Sequence, residues 1–458
     1  MSVSLSQWVA DIGYDDLPPS VISDTKLRVL DVIGLSVAGG TTAFGAGVRE
    51  AGRRLYPSGP SRLLGTEENV SVVGAAFING ALSQALEFDD THNESIVHMS
   101  SPAVAAALAF ADESGVGGRD LIRAVAISNE ISTRIGSAAP GQFHKRGFHP
   151  TGLFTPFGVS WATGALLGLG VEQMVNAAGI VGSFAAGLLE CWVDGTQSKF
   201  LHPGWAAQSG ISAAFLAQSG ITGPGQVLEG RFGLFASHLQ SGEGLDLARI
   251  TRDLGTHWES QNASFKPYPA AHVIHPYIDA ALRLRKDYGF AASDIASITC
   301  TVAPYIVGIV CEPRDEKRRP RTDSHGRVSM QYTIAETLAL GRLDKNSYAP
   351  ASLRDPEILA LADKVEMEVD PGFPGPEQFM GKIRVALHDG RSLVWTEEFN
   401  RGSPQNPLSA SDIIGKFELN VADVIAPAET ARLVDVVLSL ETLEDASGVT
   451  VLAKPSRG

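Results

Sequence analysis

Ser264-Phe265-Lys266-Pro267-Tyr268-Pro269-Ala270-Ala271-His272-Val273-Ile274-His275-Pro276 is the stretch on which the reading of this 458-residue chain turns. Lys266-Pro267 and Tyr268-Pro269 are X-Pro steps, which push the preceding residue out of the helical region and hold the backbone extended. A lysine and two histidines are thereby mounted on a stiff segment at the edge of a helical pattern. Taken alone, these residues suit either a rigid support for cationic and proton-transferring groups or a connector that happens to carry histidines.

The segment also divides the chain by pattern. Upstream, Val21 to Val37, Asn79 to Leu86, Pro102 to Asp112, Asp120 to Ile135, Ala162 to Leu169 and Ala206 to Ser219 have helical periodicity and many small residues that let helices approach closely. Strand signals come only downstream, at Ser297 to Val302, Lys364 to Val369, and Lys382 to Leu387 with Ser392 to Phe399 around the hairpin turn Asp389-Gly390. Val328 to Gly341 is helical between them, and Ser409 to Asn420 and Pro427 to Leu443 return to helix. The expected fold is mainly α: a large all-helical domain, 1–263 and 399–458, with a smaller α+β lid domain, 264–398, inserted. Lys266 then sits at the junction, where active-site clefts often form.

Composition limits the function classes. Apolar residues make up 44% and charged residues 19%, with 48 glycines, which suits a large, well-packed enzyme and excludes disorder. So few charges leave surface for burial in an oligomer. A net charge of -14 argues against nucleic acid, whose binders neutralise phosphates with a basic face. The densest basic run, Lys317-Arg318-Arg319-Pro320-Arg321, reads as a solvated loop or a local anion contact. Cys191, Cys300 and Cys311 lack metal-ligand spacing and suit a reducing compartment. No apolar run reaches the roughly 18 residues of a membrane span, and no signal-peptide pattern stands near Met1, so a cytoplasmic protein is expected.

A phosphate-binding lysine loop, a dinucleotide glycine fingerprint, His-Glu-x-x-His and Gly-x-Ser-x-Gly are all missing. Three other places carry chemistry. Glu87-Phe88-Asp89-Asp90-Thr91-His92, with His98 beyond it, suits either a divalent metal or helix capping; no matched ligand set stands elsewhere, so no metal is expected. In His144-Lys145-Arg146-Gly147-Phe148-His149-Pro150-Thr151-Gly152, Thr151 is expected to cap a helix whose N-terminus favours an anion. Gly195-Thr196-Gln197-Ser198-Lys199-Phe200-Leu201-His202 sets polar donors around a lysine, as a carboxylate clamp would.

These motifs resemble the MmgE/PrpD family, which includes 2-methylcitrate dehydratase, cis-aconitate decarboxylase and iminodisuccinate epimerase. The resemblance covers nearly the whole chain and rests on Phe88-Asp89-Asp90-Thr91-His92, Gly147 to Gly152, Thr196 to Lys199, Lys266 to Pro269 with His275-Pro276, and Arg401-Gly402-Ser403-Pro404 with Asn406-Pro407. It implies a helical domain with an α+β lid, a homodimer, and no metal or organic cofactor. It also implies catalytic roles for His98, His149, Lys199 and Lys266, with His98 and His149 as the acid-base pair. Substrate contacts are expected from Thr91, His272, Tyr305 and Glu87, the last standing where relatives carry aspartate. Ala271 falls where cis-aconitate decarboxylase has a histidine, and His272 comes one residue later.

Such residues suit a small di- or tricarboxylate. Fixed cations stabilise the carbanion formed when a proton leaves beside a carboxylate, and histidines move protons near neutral pH. Dehydration of a 2-methylcitrate-like hydroxy acid is the leading expectation. Epimerisation of an aspartate-derived dicarboxylate, cis-aconitate-type decarboxylation and a non-catalytic metabolite-binding scaffold are the alternatives.

Overall fold

Pro19–Gly39 opens with a proline in its first turn, where a missing N–H is harmless, and every residue from Arg28 to Gly39 is buried. A helix covered on all sides belongs at the centre of a core. In this computed structural model, which describes residues 1–375 and 378–456, it is packed by Val72–Gln84, Ser100–Ser114, Gly118–Ser137 and Ala410–Val421. Residues 376–377 of the expected lid and 457–458 of the expected C-terminal stretch lie outside the described residues. His202–Gln218 packs on both Pro150–Leu166 and Val72–Gln84. The approach is close enough that a Cβ on Gly204 would stand 2.1 Å from the carbonyl oxygen of Phe77, so only glycine fits there.

One apolar core draws on residues from Leu5 to Ala263 and again from Phe417 to Ala453. A second core runs from Tyr268 to Leu393. It lies against a four-stranded sheet in the order Val365–Val369, Ile295–Val302, Gly381–Leu387, Ser392–Glu397, whose first pair is parallel and whose others are antiparallel. Buried and exposed residues alternate along Gly381–Leu387, because helix His275–Tyr288 covers one face only. The Asp389-Gly390 turn forms as expected, with Gly390 at φ +89° and the Asp389 carboxylate accepting from the Arg391 N–H.

The protein is mainly helical, as the periodicity predicts, but three details differ. Strands also occur upstream of the four-stranded sheet, at Ser61–Arg62 with Asn69–Val70 and at Thr91–His92 with Ala263–Ser264. At two residues each they are too short for alternation to register. The expected helix at Ala162 is the end of a longer one, Pro150–Leu166, which carries Pro156 inside it. The helix expected over Pro427 to Leu443 stops at Leu438, Leu440–Thr442 is a separate 3₁₀ turn, and a further short helix, Gly448–Leu452, follows.

Lys416 ties the returning chain to the central helix. Its Nζ lies 2.8 Å from Asp31 Oδ1 and donates to the Phe88 carbonyl at 2.8 Å, with both side chains buried. Breaking such a pair leaves a charge without a partner in the core. Lys416→Ala is expected to lower stability by about 3–5 kcal/mol. The double change Lys416→Met with Asp31→Asn should recover most of that loss, and urea unfolding of the three proteins checks it.

Candidate active site

Glu87 begins the acidic motif just past helix Val72–Gln84 and adopts a left-handed φ of +51°, a strained conformation for a residue with a Cβ. It is held there from both sides. Its N–H donates to the Gln84 carbonyl at 2.9 Å, and its carbonyl accepts from Lys266 Nζ at 3.2 Å. Four residues on, Thr91 and His92 pair with Ser264 and Ala263, which carries the Lys266 segment alongside the motif.

Arg28 locks that pairing. Only 2% exposed, it donates to Asp90 Oδ2 at 2.5 Å and to the Ala263 carbonyl at 3.1 Å, and its guanidinium lies 4.3 Å over the Phe265 ring. On the other side, the Phe265 N–H donates to the Gly402 carbonyl at 3.0 Å. Gly402 has φ +92°, and a Cβ there would stand 2.0 Å from the Phe265 oxygen, which gives the Arg401-Gly402-Ser403-Pro404 motif its physical reason.

The result is a cavity of about 270 Å³ between the helical body and the sheet domain. Glu87, Thr91, His98, Lys199, Lys266, His272 and Tyr305 all line it. His149, the remaining expected site residue, is not among the lining residues; its ring centre stands 5.6 Å from that of His98. The volume falls below the range usual for drug-sized ligands, so the cavity selects small ones.

Of the four charged side chains that line the cavity, Lys145 is exposed and the other three are buried together. Lys199 Nζ lies 2.5 Å from Glu87 Oε1, and Lys266 Nζ lies 3.8 Å from Glu87 Oε2. Burial by itself would raise the Glu87 carboxyl, but the Lys199 and Lys266 ammonium groups outweigh it and bring its pKa down to about 2. Burial lowers the pKa of Lys266, against the pull of Glu87 and Asp89.

Each histidine is set by its neighbours. His98 Nδ1 stands 2.8 Å from the Asp90 carbonyl, which only accepts, so the proton is on Nδ1 and Nε2 keeps a bare lone pair. Thr91 Oγ1 lies 3.1 Å from the same Nδ1. Burial holds the His98 imidazole well below its usual pKa, and Lys266 and Lys199 add to this, so it is a neutral base at pH 7. His272 accepts at Nε2 from Asn400 Nδ2 at 2.8 Å, which places its proton on Nδ1, an atom with no partner. His149 Nδ1 is 2.8 Å from His202 Nδ1 and its Nε2 is buried without a partner. His275 bonds the Ala270 carbonyl at 3.1 Å and serves the segment rather than the cavity. Thr151 does not cap its helix: His149 is the N-cap residue, and the Thr151 hydroxyl instead accepts from the His98 N–H at 2.9 Å.

Sequence reasoning passed over several residues here. Asp89 is fully buried with Oδ1 3.6 Å from His98 Nδ1, and burial raises its pKa to about 6. His144 and Trp192 also line the cavity, their ring centres 4.9 Å apart. His144 lies in one of the sequence motifs and Trp192 close to another, but only the fold turns them inward. Among the described residues, no group of three His, Cys, Asp or Glu side chains is placed to hold a metal ion, and no single helix is long and apolar enough to cross a membrane.

A family model for the MmgE/PrpD N-terminal domain matches residues 3–245, and one for the C-terminal domain matches residues 268–442. The chain belongs to the MmgE/PrpD family. Similar MmgE/PrpD proteins include a cis-aconitate decarboxylase of Aspergillus terreus, 27% identical over 97% of this chain and 94% of that protein. The cis-aconitate decarboxylase of Homo sapiens is 28% identical over 96% and 91%. The 2-methylcitrate dehydratase of Salmonella typhimurium is 24% identical over 85% and 83%. These names describe lyase reactions on carboxylates, one removing carbon dioxide and the other water. The gap between the two matched MmgE/PrpD regions contains Lys266.

The Glu87 charge stabilises the folded state, since its folded pKa lies below the ordinary 4.5. That contribution is complete above pH 4.5 and is lost as pH falls towards 2. Glu87→Gln is therefore expected to lower stability by about 3–5 kcal/mol at pH 7. The difference from wild type should narrow between pH 4.5 and about 2 in denaturant unfolding.

Proposed function

We propose that this protein is a cofactor-independent lyase that dehydrates a small hydroxy polycarboxylate of the 2-methylcitrate type. The observation that carries the reading is the pairing of two lysine ammonium groups with a bare imidazole nitrogen in one small buried cavity. Lys199 and Lys266 take the substrate carboxylates and stabilise the charge that develops when the adjacent carbon loses its proton. His98 Nε2 accepts that proton. The carbon–hydrogen electron pair forms the double bond and the carbon–oxygen bond breaks.

The departing hydroxide needs a proton, and His272 faces the cavity with its unpartnered Nδ1–H. Burial and the nearby His275 and Lys266 hold His272 well below its usual pKa. A bound polycarboxylate brings negative charge that reverses part of this shift, so His272 takes up a proton at Nε2, which a turned-over Asn400 amide accepts through Oδ1, and passes its Nδ1 proton to the hydroxide as water forms. His149 stands behind His98 and, with His202, supplies a second path for the proton that His98 has taken.

Decarboxylation is the second reading, favoured by the near full-length similarity to cis-aconitate decarboxylases. Ala271 weighs against it. The resemblance read from the sequence sets it against a histidine of cis-aconitate decarboxylase, and Ala271 lines the cavity, so that difference falls beside the proposed substrate.

The purified protein, treated with a chelator, is expected to convert 2-methylcitrate or a related hydroxy acid with a rise in alkene absorbance and no release of carbon dioxide. Carbon dioxide from cis-aconitate would favour the second reading, and no turnover of any citrate-type acid would sink the first. His98→Asn and His272→Gln should each lower kcat by roughly 10²–10⁴-fold, the usual worth of a positioned acid or base.

A further inference from the structure

Lys317-Arg318-Arg319-Pro320-Arg321 is the densest basic run in a chain of net charge -14, and most of its charges are engaged internally. Lys317 is buried and donates to the Val328 carbonyl at 2.8 Å. Arg318 pairs with Glu366 at 3.0 Å and Arg319 with Asp363 at 2.6 Å. Arg321 is exposed and, among the described residues, has no ion pair. It lines a cleft of about 840 Å³ together with Arg354, which is exposed and unpaired in the same sense.

Two more arginines line the same cleft, Arg319, which is held by Asp363, and Arg327. Arg327 is 2% exposed, its Nε has no partner, and its guanidinium lies 4.9 Å over the Tyr348 ring. The one carboxylate in the lining, Asp323, stands 3.8 Å from it. A buried guanidinium N–H left unmade is costly, and Arg327 brings its fixed positive charge to the wall of the cleft. Planar guanidinium forks bind carboxylate and phosphate through paired hydrogen bonds, and a cleft of this size holds a small organic molecule.

The cleft also shares a wall with the catalytic cavity. Leu86, Gln197 and Arg327 line the cleft, whereas Glu87, Lys199 and Val328 line the cavity. Arg327 Nη1 donates to the carbonyls of Leu86 at 3.2 Å and Pro269 at 3.1 Å, so it is fixed to the backbone on both sides of the Glu87–Lys266 contact.

We propose that this cleft is a second binding site, distinct from the catalytic cavity, for a small polyanion held by Arg321, Arg327 and Arg354. The ligand carries two or more oxyanion groups, as a phosphorylated metabolite or a polycarboxylate does. Calorimetric titration of the full chain with inorganic pyrophosphate, and separately with citrate, at low ionic strength tests the site. Lys199→Ala serves as a control that disables the catalytic cavity, and the double variant Arg321→Ala/Arg354→Ala removes two exposed charges; its melting temperature verifies folding.

At least one probe is expected to bind wild type and Lys199→Ala alike and to bind the double variant about tenfold or more weakly, a loss of roughly 1.4 kcal/mol or more. Pyrophosphate behaving so assigns the site to phosphorylated compounds, and citrate behaving so assigns it to polycarboxylates. The proposal is overturned if neither probe binds, or if binding is lost with Lys199→Ala and unchanged in the double variant.

Discussion

A single buried carboxylate, Glu87, stands between two lysine ammonium groups, and the rest of the site depends on that contact. Two ammonium groups in one small buried cavity repel each other and lose their hydration. An ion held between them offsets both penalties in place. The three residues come from chain positions far apart, so the fold must bring them within a few ångströms of each other. Arg28 on Asp90, the Thr91–Ser264 pairing and the Phe265–Gly402 contact together fix the two strands of backbone that carry Glu87 and Lys266. Removing one of these supports would move a charge relative to its partner in a setting where displacement is expensive.

The same charges set the histidines. Burial and the lysines keep His98 neutral, while the Asp90 carbonyl decides which nitrogen carries its proton. His272 is kept neutral as well, and Asn400 orients it the opposite way, with a bare N–H. One cavity thus presents a lone pair and a donor on separate rings, with neither ring charged. Its location between a helical body and a sheet domain lets each contribute: Lys199 and His98 from one, Tyr305 from the other, and Lys266 and His272 from the segment that joins them.

Much of this was legible in the residues. Helical periodicity located most of the helices, and the Asp389-Gly390 turn located the hairpin, because both are local patterns. The family resemblance singled out Glu87, Thr91, His98, Lys199, Lys266, His272 and Tyr305, which line one cavity, and His149, which does not. The two-residue strand at Thr91 was not legible, since a pairing so short exists only when its partner arrives from Ala263. Asp89 was not singled out either, because its proximity to His98 arises from the left-handed turn at Glu87 and the burial that follows.

By itself the sequence determined the mainly helical class, the acidic, cysteine-poor character and the residue types of the site, since these follow from local propensity and composition. Only the tertiary structure decided which side of a wall each residue faces. Leu86 and Glu87, or Arg327 and Val328, are neighbours in the chain, yet one of each pair meets the lysine-lined cavity and the other a basic cleft. Backbone direction at a turn sets that division, and packing partners hundreds of residues away fix the direction.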